Sequence, residues 1–372
     1  MLTVDDETAR LLRARAQGVG DGRRAGSVAE VLASSFAVQA QDLPAAALGL
    51  RARATGLTPE AVRHAIDVER SVVRGWFMRG TLFLVAASDA RWLTRLLGPV
   101  ALRQSERRYR ELGLDAHTLR RAEKLITAAL SADGPLTRVE LVRRLEGAGL
   151  DVRGQVPIHL IRHSALAGVV CHGPVQNDGE ASFVLADDWL PDASTDTDNS
   201  TELDGDEAAR RLARRYLAAH APAALADFAS WSGLPIPVAR RAWQALADAG
   251  ESTGCDIAGQ LCALPAGTSS QVRPAADARL LPSYDNYLLG YRSRRLSVAA
   301  EHERQVWPGG GQIRATLVVD GLVRGLWSRR DRGRVVSVDT FGPLAAELTD
   351  RIEAEKHDVL RFAADTGSTH TA

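Results

Sequence analysis

The chain has 372 residues, 45% of them hydrophobic, and equal numbers of basic and acidic side chains. This length exceeds one ordinary domain and predicts several modules, each with a core of its own. The sequence contains no apolar run that could span a membrane, no secretory leader and no paired spacing of its three cysteines. We therefore expect a reduced, cytoplasmic protein that has no membrane partner.

The formal net charge is zero because one acidic segment offsets an excess of basic residues in the rest of the chain. Nine acidic residues and no basic residue lie between positions 187 and 207, so the rest of the chain holds 46 basic against 37 acidic residues. Almost all of the basic residues are arginines, which form clusters at positions 91–110, 292–295 and 329–334. Clustered arginine favours a partner with a phosphate backbone.

Residues 1–42 are predicted to be an N-terminal helical segment that ends in the triplet Gln39-Ala40-Gln41. Asp42 is a predicted N-cap for the helix that Leu43 and Pro44 open, so the triplet lies in an extended lead-in. Residues two apart share one side of an extended segment but diverge on a helix. Both amides can therefore face one small target; the alternative is a solvated surface pair.

Helix signals followed by hairpin signals occur three times along the chain. The predicted segments are residues 43–115 with a turn at Arg79-Gly80, residues 116–190 with a turn at Asn177-Asp178-Gly179, and residues 207–268, which follow an acidic linker at 191–206. Two or three helices followed by a β-ribbon is the plan of a winged helix-turn-helix. Generic α+β modules, or ribbons that contact proteins, remain alternatives.

Residues 269–372 are predicted to be a β-rich region with a tight turn at Asp320-Gly321 and a final helix from Pro343 to about Ala363. The arginine-rich connection from Gly290 to Gly311 is long enough to be functional or disordered. The predicted fold class is thus α+β: three tandem winged helix-turn-helix units plus a C-terminal antiparallel β element and a terminal helix.

Three segments, in this order, carry a resemblance to a known family. They are Arg79-Gly-Thr-Leu-Phe-Leu-Val85, Leu281-Pro-Ser-Tyr-Asp-Asn-Tyr-Leu-Leu-Gly-Tyr-Arg292 and Thr316-Leu-Val-Val-Asp-Gly-Leu-Val-Arg-Gly-Leu-Trp327. They resemble the tandem winged-helix DNA glycosylases of the AlkZ and YcaQ types. The family's catalytic motif is Gln, an apolar or small residue, then Gln or Asp, and Gln39-Ala40-Gln41 is similar to the double-amide form of the AlkZ-type branch.

The resemblance implies three winged helices arranged as a concave, basic cradle for duplex DNA, with Gln39 and Gln41 as catalytic residues. It also implies self-resistance to a DNA-alkylating natural product. Two positions depart from the pattern: Phe83 stands where a polar residue, often His, is found, and Ala40 is smaller than the usual apolar residue.

Two amides can suffice for this chemistry because the substrate is already activated. Glutamine is not a general base at neutral pH. A purine alkylated at N7 or N3 is cationic, however, so its glycosidic bond is weakened and the base leaves neutral. We therefore assign Gln39 to positioning water at the anomeric carbon and Gln41 to stabilising the sugar cation or sharing that water. No cofactor is required.

Other polar residues are predicted to contact DNA or to be structural. The predicted DNA contacts are Arg79, Arg292, Arg294, Arg295 and His163, with a solvated charge run as the alternative for the three clustered arginines. The loop that those three enter, or a neighbouring hairpin, is the candidate groove-probing element. His159, His163 and Cys171-His172 have zinc-like residue types but lack a fourth ligand, so we predict no metal. Tyr284, Asp285 and Tyr287 are predicted to be structural.

The predicted function is a monofunctional DNA glycosylase, without lyase activity, that acts on duplex DNA carrying bulky N7- or N3-alkylated purines. Interstrand crosslinks are a further candidate substrate, and a monomer is expected. Two other functions remain open: a non-catalytic winged-helix transcriptional regulator and a protein-interaction scaffold. A regulator would prefer one operator, and a scaffold would show no salt-sensitive affinity for DNA.

Overall fold

The computed structural model describes residues 2–20, 24–176, 180–191 and 204–365. In chain order the helices are α1 (Asp6–Ala16), α2 (Val28–Ser35), α3 (Leu43–Arg51), α4 (Pro59–Asp67), α5 (Ala87–Glu111), α6 (Ala116–Asp133), α7 (Arg138–Gly147), α8 (Val156–Leu166), α9 (Ala186–Trp189), α10 (Gly205–His220), α11 (Leu225–Ser232), α12 (Ile236–Asp248), α13 (Asn286–Leu289), α14 (Glu303–Val306) and α15 (Glu347–Asp365). None of the described helices is long and apolar enough to cross a membrane.

The strands are shorter than the helices. In chain order they are β1 (Leu2–Thr3), β2 (Ala37–Gln39), β3 (Val72–Trp76), β4 (Leu82–Ala86), β5 (Leu136–Thr137), β6 (Val170–Val175), β7 (Ala181–Leu185), β8 (Ser252–Ile257), β9 (Gln260–Pro265), β10 (Ala278–Leu281), β11 (Thr316–Val319), β12 (Leu322–Arg330) and β13 (Val335–Thr340). This mixture confirms the predicted α+β class.

The chain divides into two compact units. The first unit contains Met1–Val62 and Ala209–Ala372, and the second contains Arg63–Ala208. The first unit therefore combines both ends of the chain, which are far apart in sequence. The predicted borders of the three winged helices and of the acidic linker stay predictions, and most of that linker lies outside the described residues.

Two antiparallel ribbons form in the second unit. β3 and β4 pair from Val72 opposite Ala86 to Trp76 opposite Leu82, with the tight turn at Met78–Gly80 between them. β6 and β7 pair in the second ribbon, while the turn predicted at positions 177–179 lies outside the described residues. β5 extends that ribbon into a three-stranded sheet. A shared core that includes Trp76, Ile126 and Phe183 packs beneath these strands.

One feature of the second unit differs from the sequence prediction. The 25-residue helix α5 was not predicted. On α7, Val139 is 43% exposed, and the buried positions are Leu141 and Leu145.

Gly98 allows α5 to approach the end of α8 closely. A Cβ added at position 98 would lie 2.2 Å from the carbonyl oxygen of Leu166, a backbone atom that cannot rotate away. We expect Gly98→Ala to destabilise the second unit by about 1–3 kcal/mol, as overpacking does, in chemical denaturation. Gly147→Ala is the matched control, since nothing lies within 4 Å of its added Cβ. Equal stability of the two variants would contradict this contact.

Helices α10–α12 and the β8–β9 ribbon follow one another in the first unit. Tyr216, Phe228 and Trp231 form an aromatic core, and all three side chains are buried. β1 adds to the ribbon in parallel, with Leu2 opposite Cys255. Sequence analysis missed this strand because it is two residues long and its partner is some 250 positions away.

The C-terminal region contains the predicted antiparallel sheet, in the order β10-β11-β12-β13. Asp320 (φ 46°) and Gly321 (φ 79°) make the tight turn between β11 and β12. α15 begins at Glu347, later than predicted, and packs against β10. The connection at 290–311 is ordered around α14 and the buried side chains of Leu296, Val298 and Val306, so the disordered alternative for it was wrong.

Candidate functional site

The chain reverses sharply just before the Gln39-Ala40-Gln41 triplet. α2 ends at Ser35, and its C-cap residue Phe36 adopts a φ of 65°, a conformation uncommon for a bulky side chain. The ring of Phe36 is buried, lies 6.1 Å from the ring of Trp231 and is covered by the Arg215 guanidinium at 4.7 Å. These contacts fix the direction in which the triplet leaves the helix.

The triplet is extended at its first residue and bends before α3, so the predicted extended lead-in covers only part of it. Gln39 is the last residue of β2, and Gln41 lies in the bend before α3. Burial alternates along this segment: Val38 and Ala40 are 3% and 0% exposed, whereas Gln39 is partly exposed and Gln41 is exposed. Both amide residues are thus more exposed than Val38 and Ala40, the apolar residues that precede them.

Asp42 closes the triplet by capping α3, which confirms the prediction from sequence. Its Oδ1 accepts a hydrogen bond of 3.0 Å from the backbone N–H of Ala45, and Pro44 occupies the first turn. An N-cap fixes the residue that begins a helix, so the position of Gln41 is defined by α3 just as that of Gln39 is defined by β2.

A buried ion pair joins the segment 281–292 to the end of α3, the helix that follows the triplet. Asp285 binds Arg53 through both carboxylate oxygens, at 2.7 and 2.8 Å, and each side chain is only 1% exposed. Arg53 also donates to the carbonyl oxygens of Gly49 and Gln17. The predicted structural role of Asp285 is therefore that of an anchor, although no local signal indicated Arg53 as its partner.

The two tyrosines predicted to be structural differ in environment. The Tyr287 hydroxyl is buried and donates to the carbonyl oxygen of Gly321 at 2.6 Å. Tyr284 has a φ of 62° and is 36% exposed, so it is less buried than its predicted structural role implies.

Asn286 holds β2 directly. Its carboxamide NH₂ donates to the carbonyl oxygen of Ala37, and its carboxamide oxygen accepts the backbone N–H of Gln39 at 3.0 Å. The side chain is 1% exposed. Sequence reasoning did not single out this residue, because an asparagine at the start of a short helix is common and its partner lies 247 positions earlier.

Arg79 lies at the tip of the first ribbon of the second unit, with a φ of 55° and its guanidinium 5.8 Å from the Phe83 ring. Arg162, which the sequence analysis missed, supports this turn by donating to the carbonyl oxygen of Gly80 at 3.2 Å and to Ser105 at 2.8 Å. Phe83 itself is 0% exposed and belongs to the core. The polar-to-apolar departure at position 83 thus falls on a buried position.

His163 is half-buried on α8. Its ring meets the Tyr109 ring edge-on at 5.7 Å, and burial lowers the pKa of His163 against an opposing effect of Glu123. A neutral imidazole offers a hydrogen bond to a phosphate but no charge. Its assignment as a DNA contact stays a prediction.

The three clustered arginines lie on an open cleft of about 570 Å³ in the first unit. Arg294 stacks over Trp307 at 4.3 Å and lies 3.7 Å from Glu303, and Arg295 pairs with Asp6 at 2.6 Å. Arg292 is exposed, and within the described parts of the chain its guanidinium has no ion-pair partner. Of the three, Arg292 is the one whose charge is best available to a phosphate.

The side chains with zinc-like chemistry do not converge. Among the described residues no group of three or more His, Cys, Asp or Glu side chains could hold a metal ion. His172 is instead packed between the rings of Trp76 and Phe183, and burial lowers its pKa to about 3.

Comparison with known proteins places these observations in context. The family model for "DNA glycosylase AlkZ-like" matches residues 32–362. The chain is similar to the "Interstrand DNA cross-link repair glycosylase" of Streptomyces sahachiroi, with 28% identity over 322 residues that cover 84% of each protein. Its structure is similar to that of the Streptomyces sahachiroi DNA glycosylase AlkZ, with a TM-score of 0.81, 25% identity and 98% of each chain covered.

Proposed function

The chain belongs to the AlkZ-like DNA glycosylase family, and from that membership we propose that it is a monofunctional glycosylase for bulky N7- or N3-alkylated purines in duplex DNA. Interstrand crosslinks are a further proposed substrate, since the Streptomyces sahachiroi relative is named for their repair. Self-resistance to a DNA-alkylating natural product is the proposed biological role.

The observation that carries this proposal is a pair of solvent-accessible amide residues, one at the end of β2 and one in the bend that follows it. Gln39 and Gln41 stand between a strained turn at Phe36 and an N-cap at Asp42. Carboxamide oxygens are acceptors without a proton-transfer role at neutral pH. They suit a substrate whose leaving group is already cationic, because only the sugar's developing positive charge and a water remain to be held.

Gln39 holds the attacking water near the anomeric carbon, and Gln41 faces the oxocarbenium-like sugar or shares that water. The glycosidic bond breaks with its electron pair going to the cationic base, which leaves neutral. The water oxygen then bonds to the anomeric carbon and releases its proton to solvent. Product DNA therefore carries an abasic site.

The small number of lysines in the chain supports the proposal that it lacks lyase activity. Lyase activity requires an amine that forms a Schiff base with the sugar. The chain has only two lysines; Lys356 is paired with Glu353 at 2.8 Å, and Lys124 lies on α6 in the second unit. We expect no covalent enzyme–DNA adduct when borohydride is added during turnover; a trapped adduct would contradict this part of the proposal.

We further propose that the three helix-and-ribbon segments act as winged helices and that Arg79, Arg292, Arg294, Arg295 and His163 contact the DNA. Arg292 is expected to contribute the most charge. We expect Arg292→Ala to weaken binding to undamaged duplex and to reduce the slope of log K against log salt by about 1. Arg295→Ala is the control, because Asp6 already neutralises part of its charge, and its slope change should be smaller. Equal slopes for wild type and Arg292→Ala would remove Arg292 from the interface.

The function is tested by incubating the protein with duplexes that carry N7-methylguanine, a bulky N7-guanine adduct or an interstrand crosslink. Alkaline cleavage then reveals abasic sites. Scission with the bulky lesions alone supports a specialised resistance enzyme, whereas scission with the methyl lesion as well supports broader repair. No scission with any lesion, together with nanomolar preference for one operator, would replace the proposal with a transcriptional regulator.

A further inference from the structure

We propose that Asn286 is a positioning residue for the reaction, and that its carboxamide fixes the backbone from which the Gln39 side chain projects. This inference rests on the proposed function, since it assigns a role through Gln39. Its basis is the pair of hydrogen bonds that Asn286 makes to β2, one accepted by the carbonyl of Ala37 and one donated by the N–H of Gln39.

The carboxamide of Asn286 replaces a neighbouring strand along this edge of β2. In an extended segment, the carbonyl of one residue and the N–H of the residue two positions later point to the same edge. A parallel partner strand would satisfy both with the N–H and the carbonyl of one residue. The asparagine side chain offers the same donor and acceptor, and it therefore holds both ends of the three-residue strand.

Asn286 is itself held rigidly, so the clamp is preorganised. The preceding residue, Asp285, accepts the N–H of Tyr287 at 2.9 Å and forms the buried ion pair with Arg53. Arg53 follows α3, the helix that begins after the triplet, and donates to Gly49 on that helix at 2.9 Å. The same short segment thus contacts β2, which contains Gln39, and Arg53, which follows α3. Misplacing a catalytic group by about 1 Å can lower a rate by about 10²-fold.

Asn286→Asp provides a readout that a purely structural residue would not give. A protonated carboxyl can donate to Ala37 and accept from Gln39, as the amide does. The ionised carboxylate loses the donor and faces the Ala37 carbonyl with a negative charge. Burial favours the neutral form of a carboxyl and so places this titration above the usual range for aspartate. We expect the excision rate of Asn286→Asp to approach the wild-type rate at low pH and to fall as pH rises, whereas wild type shows no such inflection.

A double-mutant cycle identifies the group through which Asn286 acts. Asn286→Leu is expected to lower the excision rate by about 10²-fold while the affinity for undamaged duplex stays unchanged. In a Gln39→Ala background, the same substitution should cost little more, because residues that act as a unit are not additive. Independent losses that multiply would show that Asn286 does not act through Gln39.

Tyr287→Phe is the matched control. It removes a buried hydrogen bond from the same short helix, to Gly321 rather than to β2. All variants are compared at temperatures where each is folded, as judged by thermal unfolding. If Tyr287→Phe lowers excision as much as Asn286→Leu, or if Asn286→Asp gains no pH dependence, the positioning role is overturned. If Gln39→Ala itself loses no activity, the proposed function fails first.

Discussion

Gln39→Ala should lower the single-turnover rate of N7-alkylguanine excision by about 10²- to 10³-fold, the loss typical of removing one preorganised electrostatic group from an active site. The side chain is partly exposed at the end of β2, and its backbone is clamped by Asn286. Removing the carboxamide therefore deletes the water-positioning acceptor and leaves the strand in place. Affinity for undamaged duplex should not change, since the substitution removes no charge.

Two further variants make this result specific. Gln41→Ala should also lower the rate, and the double alanine variant should retain only binding and the intrinsic lability of the lesion. Asp42→Asn keeps an acceptor for the N–H of Ala45 and so keeps the cap of α3, while it removes the carboxylate next to the triplet. We expect it to excise at close to the wild-type rate. Excision at the wild-type rate by the double alanine variant would contradict the assignment of Gln39 and Gln41 as catalytic residues. A large loss of rate in Asp42→Asn alone would indicate that the carboxylate of Asp42 is the catalytic group instead.

Asp285→Ala should lower the free energy of unfolding by about 3–5 kcal/mol, because it leaves a buried guanidinium without its counter-ion. Arg53 is 2% exposed and would retain only its hydrogen bonds to backbone carbonyls. Chemical denaturation followed by tryptophan fluorescence measures the loss, since Trp231 lies in the core of the same unit.

An exposed ion pair of similar length supplies the comparison. Arg334 and Asp331 lie 2.8 Å apart in the same unit, with side chains 72% and 56% exposed. Arg334→Ala should cost less than about 1 kcal/mol, because water screens this pair and solvates the remaining charge. A loss below 1 kcal/mol for Asp285→Ala would mean that Arg53 finds water or another acceptor in the folded state.

Local signals explain which parts of the site could be predicted. The Asp42 cap and the turn at Arg79-Gly80 each depend on residues within four positions of one another. Hydrogen bonds over such a distance are set by residue type and spacing, and the structure contains both features. The resemblance to a glycosylase family likewise depended on short segments, and the family model confirms it.

Helix α5 shows where local signals fail. Its buried positions recur every four residues but include Ala101 and Ser105 as well as Leu93 and Leu97. Gly98 and Pro99 stand in its middle and usually indicate a break. The close approach of α5 to the end of α8 requires a glycine at position 98. This packing stabilises α5 although Gly98 and Pro99 lie in its middle. A pattern that depends on a neighbour's backbone cannot be recognised from the segment alone.

By itself the sequence determined the α+β class, the order of helices and ribbons, the family and the two candidate carboxamides, because periodicity, caps and turns act over a few residues. Only the tertiary structure decided that Asn286 clamps the strand of Gln39 and that Asp285 pairs with Arg53, across separations of 247 and 232 positions. These contacts form only once the core has excluded water and brought distant segments together. Burial then makes each of these hydrogen bonds and ion pairs costly to lose. The residues that hold the catalytic motif in place therefore matter to the fold, although no local sequence pattern distinguishes them.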